Sequence, residues 1–153
     1  ADKRYQIKDK VRMIKSDIVC FQESKLQFVD DGILRSLLGL QGWDWMSKQS
    51  VGASGGIITC WDESWIELEG QWIGELCLVV IRCSKQEDFF WLLVNVYGPC
   101  VLARKESFLA EVKAMLEWSK LLCCVIEDFN MIRQPDQARG SSRSRAEMEW
   151  FNN

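Results

Sequence analysis

Histidine is absent from the 153 residues, and proline occurs only twice. Without histidine no zinc set is completed from the seven cysteines at 20, 60, 77, 83, 100, 123 and 124, which also form no C-x-x-C pair, so a metal-cluster reading finds no support. The scarcity of proline, with no low-complexity linker and no internal repeat, leaves nothing to divide the chain, which reads as one domain over residues 1–153. Long apolar runs are lacking too. The longest, such as Leu76–Ile81, reach about six residues against the ~20 that cross a bilayer. No signal peptide is visible, so an intracellular, nuclear or cytoplasmic setting without a membrane partner is expected. A basic excess is also missing: 19 Lys and Arg face 22 Asp and Glu, for a net charge of −3, which argues mildly against a dedicated nucleic-acid binder.

Bulky apolar side chains, by contrast, are plentiful, with eight tryptophans and seven phenylalanines in a chain that is 48% hydrophobic and 27% charged. Those totals are ordinary for a globular domain. Trp43, Trp45, Trp61, Trp65, Trp72 and Trp91 read as core, a base-stacking platform being the alternative. Four of the cysteines lie in strand-like runs and read as small buried hydrophobes of a reducing compartment. Charge is unevenly spread. Lys3, Arg4, Lys8, Lys10, Arg12 and Lys15 crowd the start, and Arg133, Arg139, Arg143 and Arg145 the last loop, while Asp62 to Glu75 carries acids and no base. Each cluster reads either as a solvated face or as a phosphate-backbone contact.

Periodicity predicts a helix over 4–15 with Ile7, Val11 and Ile14 on one face, and a second over 30–38 gathering Ile33, Leu34, Leu37 and Leu38. From about 43 to 97 the pattern turns to strands: Trp43 to Ser47, Gly56 to Trp61, Trp65 to Ile73, Leu76 to Cys83 and Phe89 to Tyr97. After Gly98-Pro99, apolar residues at helical spacing predict a helix over about 103–119, then a buried strand over 121–127. A last helix begins near 143, with Met148 and Phe151 as apolar contacts. The order gives an α/β sheet protein with helices outside.

Two of the apolar runs, Asp17 to Glu23 and Leu121 to Asn130, end directly in carboxylates, which is how a sheet delivers metal-binding oxygens to its rim. Mg²⁺ is held by one or two carboxylates together with substrate phosphate. Glu23 terminates the first run, while Gln22 points the other way by strand alternation and reads as structural. Asp128 and Asn130, two apart, share a side if the backbone stays extended, with Phe129 facing packing; an Asx turn closing the strand is the alternative.

Together with Ser54-Gly55-Gly56-Ile57 and Asn95-Val96-Tyr97-Gly98-Pro99, all in one order, these runs resemble the endonuclease/exonuclease/phosphatase family. More narrowly, Asp17 to Lys25, Ser54 to Ile57 followed by Trp61-Asp62, and Asn130 to Arg133 resemble the endonuclease domain of plant non-LTR (LINE-type) retrotransposons. The resemblance implies a two-sheet sandwich flanked by helices, incomplete here, and Mg²⁺-dependent (or Mn²⁺-dependent) hydrolysis of DNA. It implies Glu23 and Asp128 as metal residues, Asp128 and Asn130 positioning the attacking water, and Tyr97 reaching the scissile phosphate, with Asn95 on the same face.

Three departures accompany it. Glu127 stands at the family's glycine, adding bulk and negative charge where a phosphodiester must approach. The first-strand asparagine and the closing Ser-Asp-His segment are not found, so the chain reads as truncated at both ends. Its cut sheet edges are expected to self-associate, and these residues alone are not expected to turn over. A domesticated, non-catalytic interaction module and a phosphatase of the same fold are the competing readings.

Overall fold

The computed structural model of the chain describes residues 3–39, 42–51, 54–75, 77–84, 89–132, 134 and 148–149, with backbone only for 54 and 77–84. It begins with helix α1 (Lys3–Ile14), strand β1 (Ile18–Phe21) and helix α2 (Asp31–Leu38). Strands β2 (Trp43–Val51), β3 (Ser54–Asp62), β4 (Ile66–Ile73), β5 (Cys77–Ser84) and β6 (Phe89–Tyr97) follow. A 3-10 turn at Leu102–Arg104, helix α3 (Lys105–Trp118) and strand β7 (Leu122–Asp128) complete the order. The predicted elements up to 128 are therefore present within a few residues; the helix expected from 143, Phe151 and the Arg133–Arg145 cluster fall outside the described residues, except for Met148 and Glu149.

One sheet runs β1-β3-β2 and the other β4-β5-β6-β7, antiparallel throughout except for the parallel pair β6 and β7. That parallel pair needs a crossover, and α3 supplies it. Strand alternation then sorts the apolar residues into three layers. Ile58 and Cys60 of β3 face Val11, Leu34, Leu37 and Leu38 of the first two helices. Ile57 and Trp61, from the opposite face of β3, pack with Met46, Ile66 and Tyr97 between the sheets. Leu92, Val94 and Val96 of β6 meet Phe108, Val112 and Met115 of α3. The result is a two-sheet sandwich with helices outside both sheets.

Helix α2 shows why its ends fall where they do: Asp30 caps it by accepting the Ile33 N–H at 2.7 Å, and Gly39 closes it in the left-handed region at φ 72°. Several burial expectations are corrected. Trp61 is buried, but Trp65, just before β4, and Trp72, on β4, are exposed, β4 being the outermost strand of its sheet among the described residues. Ile14 is exposed at the last turn of α1, leaving Val11 and Ile7 to face the core. The largest departure is β7, expected buried: Leu122, Cys123, Cys124 and Ile126 are all exposed because it is the last strand of its sheet among the described residues. Of the cysteines, Cys60 does behave as a small core hydrophobe, and burial, with Cys20 and Asp44 behind it, pushes its thiol up.

Candidate active site

The site lies where β1, β6 and β7 end together. Alternation along β6 points Asn95 and Tyr97 between the sheets, while Val94 and Val96 face α3. Asn95 is fully buried and its amide is used on both sides: Nδ2 donates to the Ile58 carbonyl and to Thr59 Oγ1, each at 3.1 Å, and Oδ1 accepts from Gln22 Nε2 at 3.1 Å. Gln22 also donates to the Ile126 carbonyl at 3.1 Å. One side chain thus ties the end of β1 to both β6 and β7, which fixes the step from Gln22 to Glu23 against both sheets.

Glu23 itself has φ 51°, a left-handed conformation uncommon outside glycine, asparagine and aspartate. The segment after it is tied down by backbone bonds, Ser24 N–H to the Gly56 carbonyl at 3.0 Å and Lys25 N–H to the Gly55 carbonyl at 3.1 Å. Gly56 is required there: φ is 87°, and a Cβ would run into Ser24 Oγ. The Ser-Gly-Gly turn therefore does more than launch β3, since it braces the Glu23 loop. The Glu23 carboxylate is exposed, 3.5 Å from Lys25 Nζ.

Tyr97 lies within range of this carboxylate's charge. Burial first, then the charges of Cys100 and Glu23, push its phenol up to about 12, against the pull of a side-chain hydrogen bond with Asn130. Tyr97 is the register partner of Asp128. Asp128 Oδ1 accepts the Asn130 N–H at 3.0 Å, an Asx turn, and Asn130 Nδ2 donates to the Gly98 carbonyl at 2.8 Å. Asn130 has φ 51°, so the extended geometry that sequence spacing assumed gives way to a turn. Gly98 N–H closes it from the other side on the Asp128 carbonyl at 2.7 Å, and a Cβ on Gly98 would strike the Phe129 backbone. Phe129 packs edge-on against Phe108, centroids 5.8 Å apart.

Glu127 does not crowd this site. Its register partner is Val96, so it lies on the α3 side of the sheet, opposite Asp128 and Tyr97, where Oε2 accepts the Phe129 N–H at 3.2 Å. Its φ is not positive, so a glycine is not needed for the backbone at 127. Beside Tyr97 a cleft of about 340 Å³ is lined by Lys48, Gln49, Gly55, Cys100 and Arg104 among others. Lys48 donates to the Gly74 carbonyl and Arg104 pairs with Glu75 across it.

No family model and no curated protein matches the chain by sequence. Solved structures do match. The human Nocturnin catalytic domain with bound sulfate superposes with a TM-score of 0.67 at 13% identity, over 86% of this chain and 57% of that one. An endonuclease/exonuclease/phosphatase family protein from Bacteroides thetaiotaomicron gives 0.64 at 19% identity, over 84% and 55%. ANGEL2, a 2′,3′-cyclic phosphatase in complex with adenosine-2′,3′-vanadate, gives 0.66 at 19% identity, over 84% and 44%. The fold is that of the endonuclease/exonuclease/phosphatase proteins. The chain spans about half the length of these structures.

Within that endonuclease/exonuclease/phosphatase fold, the structure sets Asp128 next to Tyr97 in register, ties Asn130 to the Gly98 carbonyl beside them, and anchors Gln22, the neighbour of Glu23, on Asn95 and Ile126. Among the described residues no three Asp, Glu, Cys or His side chains gather into a cage for a metal. A donor set of one or two carboxylates beside hydroxyl and amide groups suits Mg²⁺, which keeps its waters and relies on substrate phosphate, and does not suit zinc. Gln22 has the structural role its sequence position suggests, joining the end of β1 to β6 and β7 beneath Glu23. Lys105, buried with its ammonium on the Asn130 carbonyl, looks in sequence like any solvated lysine at a helix start.

Proposed function

We propose that the chain carries part of the phosphodiester-cleaving site of a Mg²⁺-dependent DNA endonuclease of the LINE retrotransposon type. The observation that carries the reading is the meeting of three strand ends: Gln22, next to Glu23, bonds Asn95 of β6 and the Ile126 carbonyl of β7, and Tyr97 pairs in register with Asp128. Glu23 and Asp128 would hold the metal, with Mn²⁺ able to replace it; when bound, it neutralises charge at the phosphate. Tyr97 donates to a phosphoryl oxygen as negative charge develops there. Asp128 orients the attacking water and Asn130 steadies water and phosphate. The left-handed backbone at Glu23 is strain of the kind that collects at working sites. Both carboxylates are exposed, so a cation bridging them to a phosphate has free access.

These residues hold no histidine to share the charge that Tyr97 meets, and removal of one such donor typically lowers the rate ~10²–10³-fold. A supercoiled-plasmid assay with Mg²⁺ or Mn²⁺ is therefore expected to show no nicking above an Asp128→Ala control. Thermal unfolding with millimolar metal should rise slightly, and Glu23→Ala should remove the rise. A rise that survives Glu23→Ala sinks the metal assignment, and no rise at all favours a non-catalytic interaction module. Nicking abolished by Asp128→Ala shows the residues present to be sufficient.

A further inference from the structure

Lys105 opens α3 and contradicts two ordinary preferences at once. It is 2% exposed, although lysine is rarely buried unless its charge is satisfied. It also stands at the positive end of the helix dipole, where acidic side chains are favoured. An apolar side chain would sit comfortably beside Phe108, so packing alone does not account for an ammonium group here. What it reaches does. Lys105 Nζ donates to the Asn130 carbonyl at 3.2 Å, from beneath the turn that carries Asp128 and Asn130.

We propose that Lys105 is a positioning residue of the candidate site, its buried ammonium holding the Asp128–Asn130 turn against the end of β6 so that the Asn130 amide stays in reach of Tyr97. The turn needs such a hold. It follows an exposed strand, and Asn130 sits in the left-handed region, from which a released asparagine relaxes readily to other conformations. On one side Asn130 Nδ2 grips the Gly98 carbonyl; Lys105 grips the Asn130 carbonyl from the other. With both in place the residue cannot rotate about its own backbone. Local rules broken without a packing gain are the mark of a position kept for a site.

The catalytic meaning of this hold rests on the proposed endonuclease reading, but the hold itself can be read without metal or turnover. The chain contains two tyrosines, Tyr97 and the exposed Tyr5, so ring-¹³C-labelled tyrosine gives two sets of signals, assigned with Tyr97→Phe. In Lys105→Met, the Tyr97 signal should move or broaden while Tyr5 stays, and the Asn130 amide should exchange at least tenfold faster while Leu93 and Val94 on β6 keep their protection. Lys105→Arg, which preserves charge and donors, should bring both readings back toward the parent chain. If Lys105→Met does not give a dispersed spectrum, Lys105→Gln is judged by the same criteria. Unchanged Tyr97 and Asn130 signals in a folded variant overturn the proposal. So does an equal loss of protection at β6, which would make Lys105 a general packing residue. A metal response indifferent to Glu23→Ala would defeat the endonuclease reading and leave these readings standing.

Discussion

β6 and β7 lie side by side, parallel and in register from Trp91↔Leu122 to Tyr97↔Asp128, yet their surroundings are opposite. β6 is buried over its last six residues, covered by α3 on one face and the other sheet on the second. Among the described residues β7 has a strand neighbour on one edge only, and it is exposed almost throughout. The candidate site takes residues from both. Its Asn95–Tyr97 half belongs to the core, and its Asp128–Asn130 half is held by polar contacts to Gly98 and Lys105 and by the packing of Phe129 on Phe108. Changes on β6 should therefore act on the whole fold, and changes around β7 on the site alone.

The largest effect expected is on β6. Leu92→Ala removes a side chain with no exposure from the α3 layer and should cost about 2–5 kcal/mol in a urea unfolding experiment. A loss below about 1 kcal/mol would mean that β6 is not the rigid side. Gly98→Ala tests the seam between the strands, since its Cβ meets Phe129 backbone that cannot swing away as a side chain can. Overpacking of that kind costs about 1–3 kcal/mol, and here the Asn130 amide should lose its exchange protection first.

A smaller effect depends on pH. The Tyr97 phenol is raised from its usual 10 to about 12, so the folded chain holds a proton that the unfolded chain gives up earlier. Its contribution to stability is fully present below pH 10 and is lost as pH rises through about 12. Tyr97→Phe should flatten the decline of stability in that window and leave the neutral range little changed; an identical alkaline decline in the variant contradicts the assigned cause. The smallest effect is on the other strand: Leu122 is 68% exposed, and Leu122→Ala should change stability by less than about 0.5 kcal/mol. If Leu122→Ala matched Leu92→Ala, the contrast between the strands would fail.

The same contrast shows what could be seen in the residues beforehand. Strand and helix positions are legible because apolar spacing switches cleanly between the two periods, and the runs into Glu23 and Asp128 because β7 ends in Asp128 and β1 stops at Phe21, two residues before Glu23. Burial of β7 is not, since Leu121 to Ile126 has the composition of a central strand and composition does not say which strand ends a sheet. Glu127 illustrates a related limit. Its replacement of a glycine is plain in the sequence, but the face it occupies follows only from its pairing with Val96. Gln22 and Lys105 depend on partners 73 and 25 residues away, and no local pattern signals either partner.

The claim that the ends of β1, β6 and β7 form one cation and phosphate site is tested most directly by paramagnetic broadening. With substoichiometric Mn²⁺ added to the isotopically labelled chain, signals of Glu23, Tyr97, Asp128 and Asn130 should broaden first and together, and Glu23→Ala should abolish the pattern. Broadening that begins instead along the acidic stretch at Asp62, Glu63, Glu67 and Glu69, with Tyr97 and Asn130 untouched, would place the cation elsewhere and contradict the account.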